Sequence, residues 1–219
     1  MRIHLKTSNN KELVSFNYQP KLVGVLHKWF GLNEMHGNPA LYSFSWLMNA
    51  EVDKNGLNYP DGAKIFMSFH QEEHLRQVVK SIMKDPEMCF GMKVVDLTIA
   101  ENPDFSNRTI FQCASPIFVR RFEGEKNTHY TFEDPESGTF LEKTLLHKMK
   151  IAGLPEDESL KIRFDTSVNG ARTKIIDYRG IKNKVNLCPV IIEGKPETKL
   201  FAWNVGVGNS TGIGFGAIY

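Results

Sequence analysis

The chain has 219 residues, of which 41% are hydrophobic and 11% aromatic, so it can bury a core, and a largely disordered protein is excluded. The formal net charge of +2 at pH 7 neither requires nor excludes a nucleic-acid partner. Three cysteines without a CxxC pair argue against a disulfide framework and against a cysteine zinc site. The first residues lack the apolar segment of a signal peptide, and no run of about 18 apolar residues occurs, so we expect a cytoplasmic protein without a membrane partner.

In the first half of the chain, helix and strand patterns follow one another as β-α-β-β-α-β. A helix is predicted to begin near Pro20, because Leu22, Leu26 and Trp29 repeat on one face, and a second helix pattern covers residues 72–85. Strand patterns cover residues 2–7, 41–52, 63–71 and 89–101. This order is that of the ferredoxin-like fold, so we predict one such domain over residues 1–102.

The same order partly repeats after a predicted linker at residues 101–107. Helix patterns cover residues 139–153 and 195–205, and strand patterns cover residues 109–121, 160–167, 171–180, 184–194 and 214–219. The pattern at 184–194 reads as an extra strand. The predicted fold class is therefore α+β, with two tandem ferredoxin-like (βαββαβ) halves, of which the second, at residues 108–219, is less regular.

Three segments, in the same order along the chain, resemble the CRISPR-associated repeat-processing endoribonucleases of the RAMP superfamily. They are NPALYSFSWLM (38–48), SPIFVRR (115–121) and the glycine-rich VGVGNSTGIGFG (205–216). The resemblance implies an endoribonuclease that binds the repeat of a CRISPR precursor transcript and cuts it without metal, leaving a 2′,3′-cyclic phosphate and a 5′-hydroxyl. The alternative is a RAMP subunit that holds guide RNA without cutting it. Further partners would be other effector subunits or a second copy of the chain.

Such chemistry uses the RNA's own 2′-hydroxyl as nucleophile and needs groups that move protons near neutral pH, as histidine does. Two of the seven histidines are candidates for the acid and base. His27 lies on the polar face of the first helix, with Gly24, Lys28 and Gly31, and His36 follows in the next loop. Lys28 would stabilise the charge on phosphorus. The alternatives are a solvated His27 and Lys28 and a loop hydrogen bond for His36.

His70 and His74 stand four residues apart, so they could share a helix face and bind zinc. The zincin pattern requires Glu directly after the first histidine, where Gln71 stands, and no third ligand is apparent. A polar helix start, with Glu72 and Glu73 near the positive end of the helix dipole, is the alternative. We therefore predict no metal and no cofactor.

Clustered cations are predicted to contact RNA phosphates. Five of them occur between residues 172 and 184, in one predicted pair of strands where Asp177 is the single anion, and two more follow Val119. The seven are Arg120, Arg121, Arg172, Lys174, Arg179, Lys182 and Lys184. Strand alternation places Arg172 and Lys174 on one side and Ile175 on the other. A solvated strand face is the alternative.

The glycine-rich segment offers backbone N–H groups that an anion can approach closely. We predict RNA contacts there at Gly206, Gly208, Asn209, Ser210 and Thr211. Close packing of two strands is the explanation we favour for Gly214 and Gly216. The segment has neither the GK[ST] of a Walker loop nor the strand-then-helix context of a dinucleotide site. A metabolic protein that binds a nucleotide there is a third alternative.

Overall fold

The computed structural model describes residues 1–31, 39–124 and 126–219, without the side chains of Glu123 and Lys126. The helices are α1 (Gln19–Phe30), α2 (Glu72–Lys84), α3 (Ser137–Ile151) and α4 (Pro196–Val205). The strands of the first half are β1 (Arg2–Thr7), β2 (Tyr42–Phe44), β3 (Glu51–Asp53), β4 (Gly56–Asn58), β5 (Lys64–Phe69) and β6 (Val94–Ala100). Those of the second half are β7 (Ile110–Phe111), β8 (Val119–Glu123), β9 (Lys126–Tyr130), β10 (Lys161–Phe164), β11 (Arg172–Tyr178), β12 (Ile181–Leu187) and β13 (Val190–Glu193).

The first half forms a four-stranded antiparallel sheet in the order β2-β5-β1-β6. Ile3 and Leu5 alternate with polar residues along β1 and pack with the buried faces of α1 and α2 in one core. The sequence predicted a single strand over residues 41–52, and this was wrong. The strand ends at Phe44 because the N–H of Trp46 donates to the Ala114 carbonyl of the second half. The chain then forms the β3–β4 hairpin.

The second half repeats this arrangement. Its sheet has the order β10-β13-β7, and the backbones of residues 112–114 and 217–219 exchange hydrogen bonds beside β7. Helices α3 and α4 pack with this sheet around a second core that includes Phe111, Leu141 and Val205. Both halves therefore have the strand order of the ferredoxin-like fold, and the predicted α+β class with two such halves is confirmed.

The sequence predicted one strand at 109–121, with a bend or bulge at Pro116, and one strand at 184–194, and the structure divides both at prolines. The pattern at 109–121 divides into β7 and β8 around Pro116, and the pattern at 184–194 divides into β12 and β13 before Val190. Pro189 has no N–H to donate, and its carbonyl accepts from Asp165. The chain therefore leaves the β11–β12 hairpin at this point and enters the second sheet.

The two halves meet at the open face of the first sheet, which α4 covers. Arg2 is 2% exposed, and its guanidinium lies 3.7 Å from the Phe66 ring centroid and 3.5 Å from that of Trp203. It donates to the carbonyls of Trp203 and Ile218 at 3.0 and 2.7 Å, and burial lowers the pKa of Arg2 to about 8. Arg2 of the first half thus contacts groups of both halves, and none of these contacts is with a carboxylate.

The described residues 101–109 form neither helix nor strand, as expected for a linker. The domain boundaries at residues 102 and 108 stay a prediction. Within the part of the chain that the structure describes, no helix has the length and apolar character needed to cross a membrane.

Candidate functional site

The exposed face of α1 carries the first candidate residue. Leu22, Leu26 and Trp29 are buried, so the helix turns its other side to solvent. His27 is exposed on that side, as the sequence predicted. Nothing lies within 4 Å of where a side chain on Gly24 would begin, so the helix backbone is open there. A bulky ligand can therefore approach α1 next to the His27 imidazole.

Lys28, on the same face, is held by protein contacts. Its ammonium forms a 2.9 Å ion pair with Asp85 Oδ2 and donates to the Glu87 carbonyl at 2.7 Å. The hydrogen bond from Lys28 lowers the pKa of the Asp85 carboxyl. To reach a phosphate, Lys28 would have to leave these partners, and its predicted role stays a prediction. His36 lies outside the described residues.

The C-terminal glycine-rich segment is fastened to the first half through three successive carbonyls. Tyr42 donates to the carbonyl of Gly212 at 3.2 Å, Gln19 to that of Ile213 at 2.6 Å, and Trp46 to that of Gly214 at 2.7 Å. These donors come from the start of α1, from β2 and from the chain just after β2. The segment is thus held next to α1.

Tyr42 acts here as a hydrogen-bond donor. Burial and the nearby Tyr178 hydroxyl raise the pKa of Tyr42 to about 12, so the phenol is protonated at neutral pH. Tyr178, at the end of β11, also packs against the core of the first half. The β11–β12 hairpin therefore reaches across to the region of Tyr42 and the glycine-rich segment.

The glycines of this segment are packed against protein atoms. A Cβ on Gly206 would lie 2.7 Å from the Gly216 carbonyl oxygen, and one on Gly208 would lie 2.5 Å from that of Phe118. Close packing, which we expected for Gly214 and Gly216, thus also accounts for Gly206 and Gly208.

The polar residues of the glycine-rich segment also contact other parts of the protein. The N–H of Asn209 donates to the carbonyl of Phe118 at 2.7 Å, and its Oδ1 accepts from the N–H of Arg120 at 2.8 Å. Thr211 is buried, whereas Asn209 and Ser210 keep part of their surface. RNA contacts at Gly206, Gly208, Asn209, Ser210 and Thr211 stay a prediction. Of the side chains in this set, those of Asn209 and Ser210 are partly exposed and accessible to a ligand.

Arg120 and Arg121 point to opposite sides of β8. Arg121 donates to the Phe140 carbonyl at 2.6 Å and to Thr144 Oγ1 at 3.0 Å, both on α3, and burial lowers its pKa. Arg120 lies on the other side, next to the rings of Phe118 and Phe122. Of the two, Arg120 is the better placed for a ligand.

The five cations of the β11–β12 hairpin do not form one row. Arg172 and Lys174 share a face with the buried Ile176, and Lys174 Nζ lies 6.0 Å from the Trp46 ring centroid. Lys182 and Lys184 lie on the opposite face, and Arg179 stands in the turn with φ 53°. The N–H of Lys184 donates to His129 Nδ1 at 3.3 Å, which places this hairpin beside β9.

The histidines considered for zinc are directed to different helices. The His70 ring packs against Phe201 of α4 with centroids 4.9 Å apart, and the His74 ring packs against Phe30 of α1 at 6.3 Å. Each ring therefore belongs to a separate packing contact.

Comparison with known proteins identifies the family. The family model "CRISPR associated protein Cas6, C-terminal" matches residues 100–219, which is more than half of the chain. The chain belongs to the Cas6 family. A CRISPR-associated endoribonuclease-like protein Cas6 of Pyrococcus furiosus is 26% identical over 243 aligned residues, which cover 100% of this chain and 98% of that protein. Cas6nc of Pyrococcus horikoshii is 26% identical over 166 residues, covering 72% of this chain and 68% of that protein.

Solved structures share the fold of this Cas6 chain. A Cas6-related protein from Pyrococcus furiosus has a TM-score of 0.85 at 24% identity, covering 100% of this chain and 97% of that one. A protein described as a RAMP protein binding different RNA substrates has a TM-score of 0.84 at 22% identity, covering 100% and 98%. The resemblance found in the sequence is therefore confirmed.

Sequence reasoning about this Cas6 chain missed Lys148. The residue is 3% exposed on α3, and its ammonium donates to the carbonyls of Val205 and Gly206 at 3.0 and 3.3 Å and to Thr211 Oγ1 at 3.0 Å. Burial lowers the pKa of Lys148 to about 7. One signal could have found it, because Lys148 follows Leu141 and Leu145 on the apolar face of α3.

Proposed function

We propose that this Cas6 chain binds CRISPR repeat RNA and cuts the precursor transcript into guide RNAs without a metal ion. The RNA 2′-hydroxyl attacks the adjacent phosphorus, a 2′-oxygen–phosphorus bond forms and the bond to the 5′-oxygen breaks. The products carry a 2′,3′-cyclic phosphate and a 5′-hydroxyl. Membership of the Cas6 family supports this role, as do the endoribonuclease-like name of one relative and the RNA binding described for one structural neighbour.

The observation that carries the proposal is the exposed His27 on α1, beside an open stretch of helix backbone. One imidazole accepts the proton of the 2′-hydroxyl, and a protonated one donates to the leaving 5′-oxygen. We assign these roles to His27 and His36 as a pair. Each positioned acid or base is expected to contribute about 10²- to 10⁴-fold to the rate.

Electrostatic stabilisation and RNA binding are assigned to the cations. Lys28 would stabilise charge on phosphorus after leaving Asp85, and the hairpin cations and Arg120 would contact phosphates. Arg121 would support this surface from behind by fixing β8 to α3. In the glycine-rich segment, the partly exposed Asn209 and Ser210 would contact the RNA backbone, with Gly206, Gly208 and Thr211 packed beneath them against protein atoms.

The test compares histidine variants on labelled repeat RNA in EDTA. We expect His27→Ala and His36→Ala each to slow single-turnover cleavage by at least about 100-fold and the double variant to abolish it, with RNA affinity retained. His147→Ala, an exposed histidine on α3, is the matched control and should cut normally. A repeat with one 2′-deoxy nucleotide at the cut should resist cleavage.

Three outcomes contradict parts of the proposal. Unchanged cleavage by the double variant would overturn the assignment of the histidines. A wild-type protein that shifts repeat RNA in a gel but leaves it intact would be a binding subunit of an effector complex. A wild-type protein that ignores repeat RNA would overturn the proposed function altogether.

A further inference from the structure

An exposed phenylalanine stands on the β8–β9 hairpin. Phe122 is 66% exposed, and the residue opposite it on β9 is Asn127, which is too small and polar to cover a ring. Among the described residues, Phe122 is the most exposed phenylalanine, so its ring surface is available to a ligand.

The ring belongs to an ordered column of side chains. Phe118, Arg120 and Phe122 alternate along one side of the chain through β8, and the Arg120 guanidinium carbon lies 5.5 Å from the first ring centroid and 5.2 Å from the second. Phe118 is 1% exposed and joins the core with Phe215 and Val185. The column therefore runs from the core to solvent and ends at Phe122.

We infer that Phe122 is a stacking site for one nucleobase of single-stranded RNA, with Arg120 beside it to contact the adjoining phosphate. The inference rests on the RNA binding proposed above. An aromatic ring with a cation beside it is the combination that single-stranded nucleic acids bind, because the ring accepts any base and the cation attracts the backbone. The base would extend the column by one layer.

The charges near the site favour a nucleobase over a protein partner or a second copy. The neighbouring β11–β12 hairpin carries five cations against Asp177, and its Lys184 backbone contacts His129, which pairs with Arg120 across the β8–β9 ladder. A second copy docking here would bring cations against cations.

The experiment uses the full chain and repeat RNAs that carry 2-aminopurine at one position each. We expect Phe122→Ala to weaken RNA binding by about 5- to 150-fold, as loss of one stacked base does, without changing the salt dependence. Phe122→Trp should restore affinity. In the wild type, 2-aminopurine fluorescence should be quenched at one position, and this quenching should disappear in Phe122→Ala.

Two variants serve as controls. Phe16→Ala removes a phenylalanine that is 55% exposed in the first half, and RNA affinity should not change. Arg120→Met should weaken binding with a smaller salt dependence, because it removes a phosphate contact and not a stacking surface. Circular dichroism should show that all variants are folded.

Three results would decide against the inference. Equal affinity of wild type and Phe122→Ala would overturn the stacking site while the proposed RNA binding stands. A change in oligomeric state with unchanged RNA affinity would make Phe122 a contact between copies, which also overturns it. If the wild type binds no RNA, the proposed function fails first, and the stacking site fails with it.

Discussion

Lys148 places a cation against the C-terminal end of α4, where the helix dipole and two carbonyls favour positive charge. Burial opposes that charge and lowers the pKa of Lys148 to about 7. Between this value and the ordinary pKa of lysine, the unfolded chain binds more protons at this residue than the folded chain. The free energy of unfolding should therefore rise with pH across this range because of Lys148.

Replacing Lys148 with Met removes this pH dependence. We expect the free energy of unfolding of the wild type, relative to Lys148→Met, to rise by about 3 kcal/mol from pH 7 to about pH 10. Urea denaturation at several pH values measures it. Lys150→Met, at an exposed site on the same helix, is the control. A wild-type advantage that stays constant with pH would show that Lys148 titrates as an ordinary lysine.

At single residues, the sequence predicted exposure better than contacts. The exposed position of His27 follows from the helical period, since the apolar residues of α1 define its buried face. The ion pair between Lys28 and Asp85 could not be predicted, because the two residues are far apart in sequence and meet only when α1 packs on the end of α2. The burial of Arg121 on α3 depends on tertiary packing in the same way.

Among the elements, the glycine-rich segment is defined by close backbone packing. Gly216 has φ 69°, and a Cβ there would lie closer to the Val207 carbonyl oxygen than any real contact allows. Gly153 has a similar φ of 70° but open space around it. Alanine substitutions at these two glycines therefore distinguish the free-energy cost of a left-handed backbone conformation from the cost of overpacking.

We expect Gly216→Ala to reduce the free energy of unfolding by about 1–3 kcal/mol more than Gly153→Ala, because only the first overpacks the protein. Gly153→Ala should itself cost about 1–2 kcal/mol for the left-handed conformation. Urea denaturation of both variants measures the difference. Equal costs would show that residues 206–216 are not tightly packed in solution.

The elements themselves were largely predictable, and their ends were less so. Among the described residues, the apolar faces of α1, α2 and α3 located these helices, whereas α4 is buried over most of its length and gave a weaker pattern. The sequence predicted only a bend or bulge at Pro116 and no break at Pro189, because apolar residues occur on both sides of each proline. What ends these strands is their pairing, since β12 bonds to β11 and β13 to β10 and β7. Local sequence does not contain that information.

For the whole molecule, Arg2 is the residue that joins both halves most directly. Its guanidinium is planar and stacks on two rings while it donates to Ser68 Oγ at 2.6 Å and to two carbonyls. A lysine carries the same charge but has neither the planar group nor the fork of donors. Arg2→Lys would thus leave acceptors unpaired at the junction.

We expect Arg2→Lys to reduce the free energy of unfolding by about 2–4 kcal/mol, since hydrogen bonds to charged groups each contribute about 1.5–3 kcal/mol. Urea denaturation followed by circular dichroism measures this. Arg76→Lys, whose ion pair with Glu72 is exposed, should change stability by less than about 1 kcal/mol. If Arg2→Lys is as stable as the wild type, the junction does not depend on the guanidinium.

The stacking of Arg2 also bears on which partner must adapt during recognition. Swinging one half away from the other would break the stacking of Arg2 on Trp203 and its hydrogen bonds to the carbonyls of Trp203 and Ile218, so hinge motion at this junction is unfavourable. In the proposed function, the transcript therefore adjusts its shape to the protein, and the entropy lost on association falls mainly on the nucleotide chain. Repeats that are pre-ordered in the bound shape should then associate more tightly than floppy repeats of the same base composition.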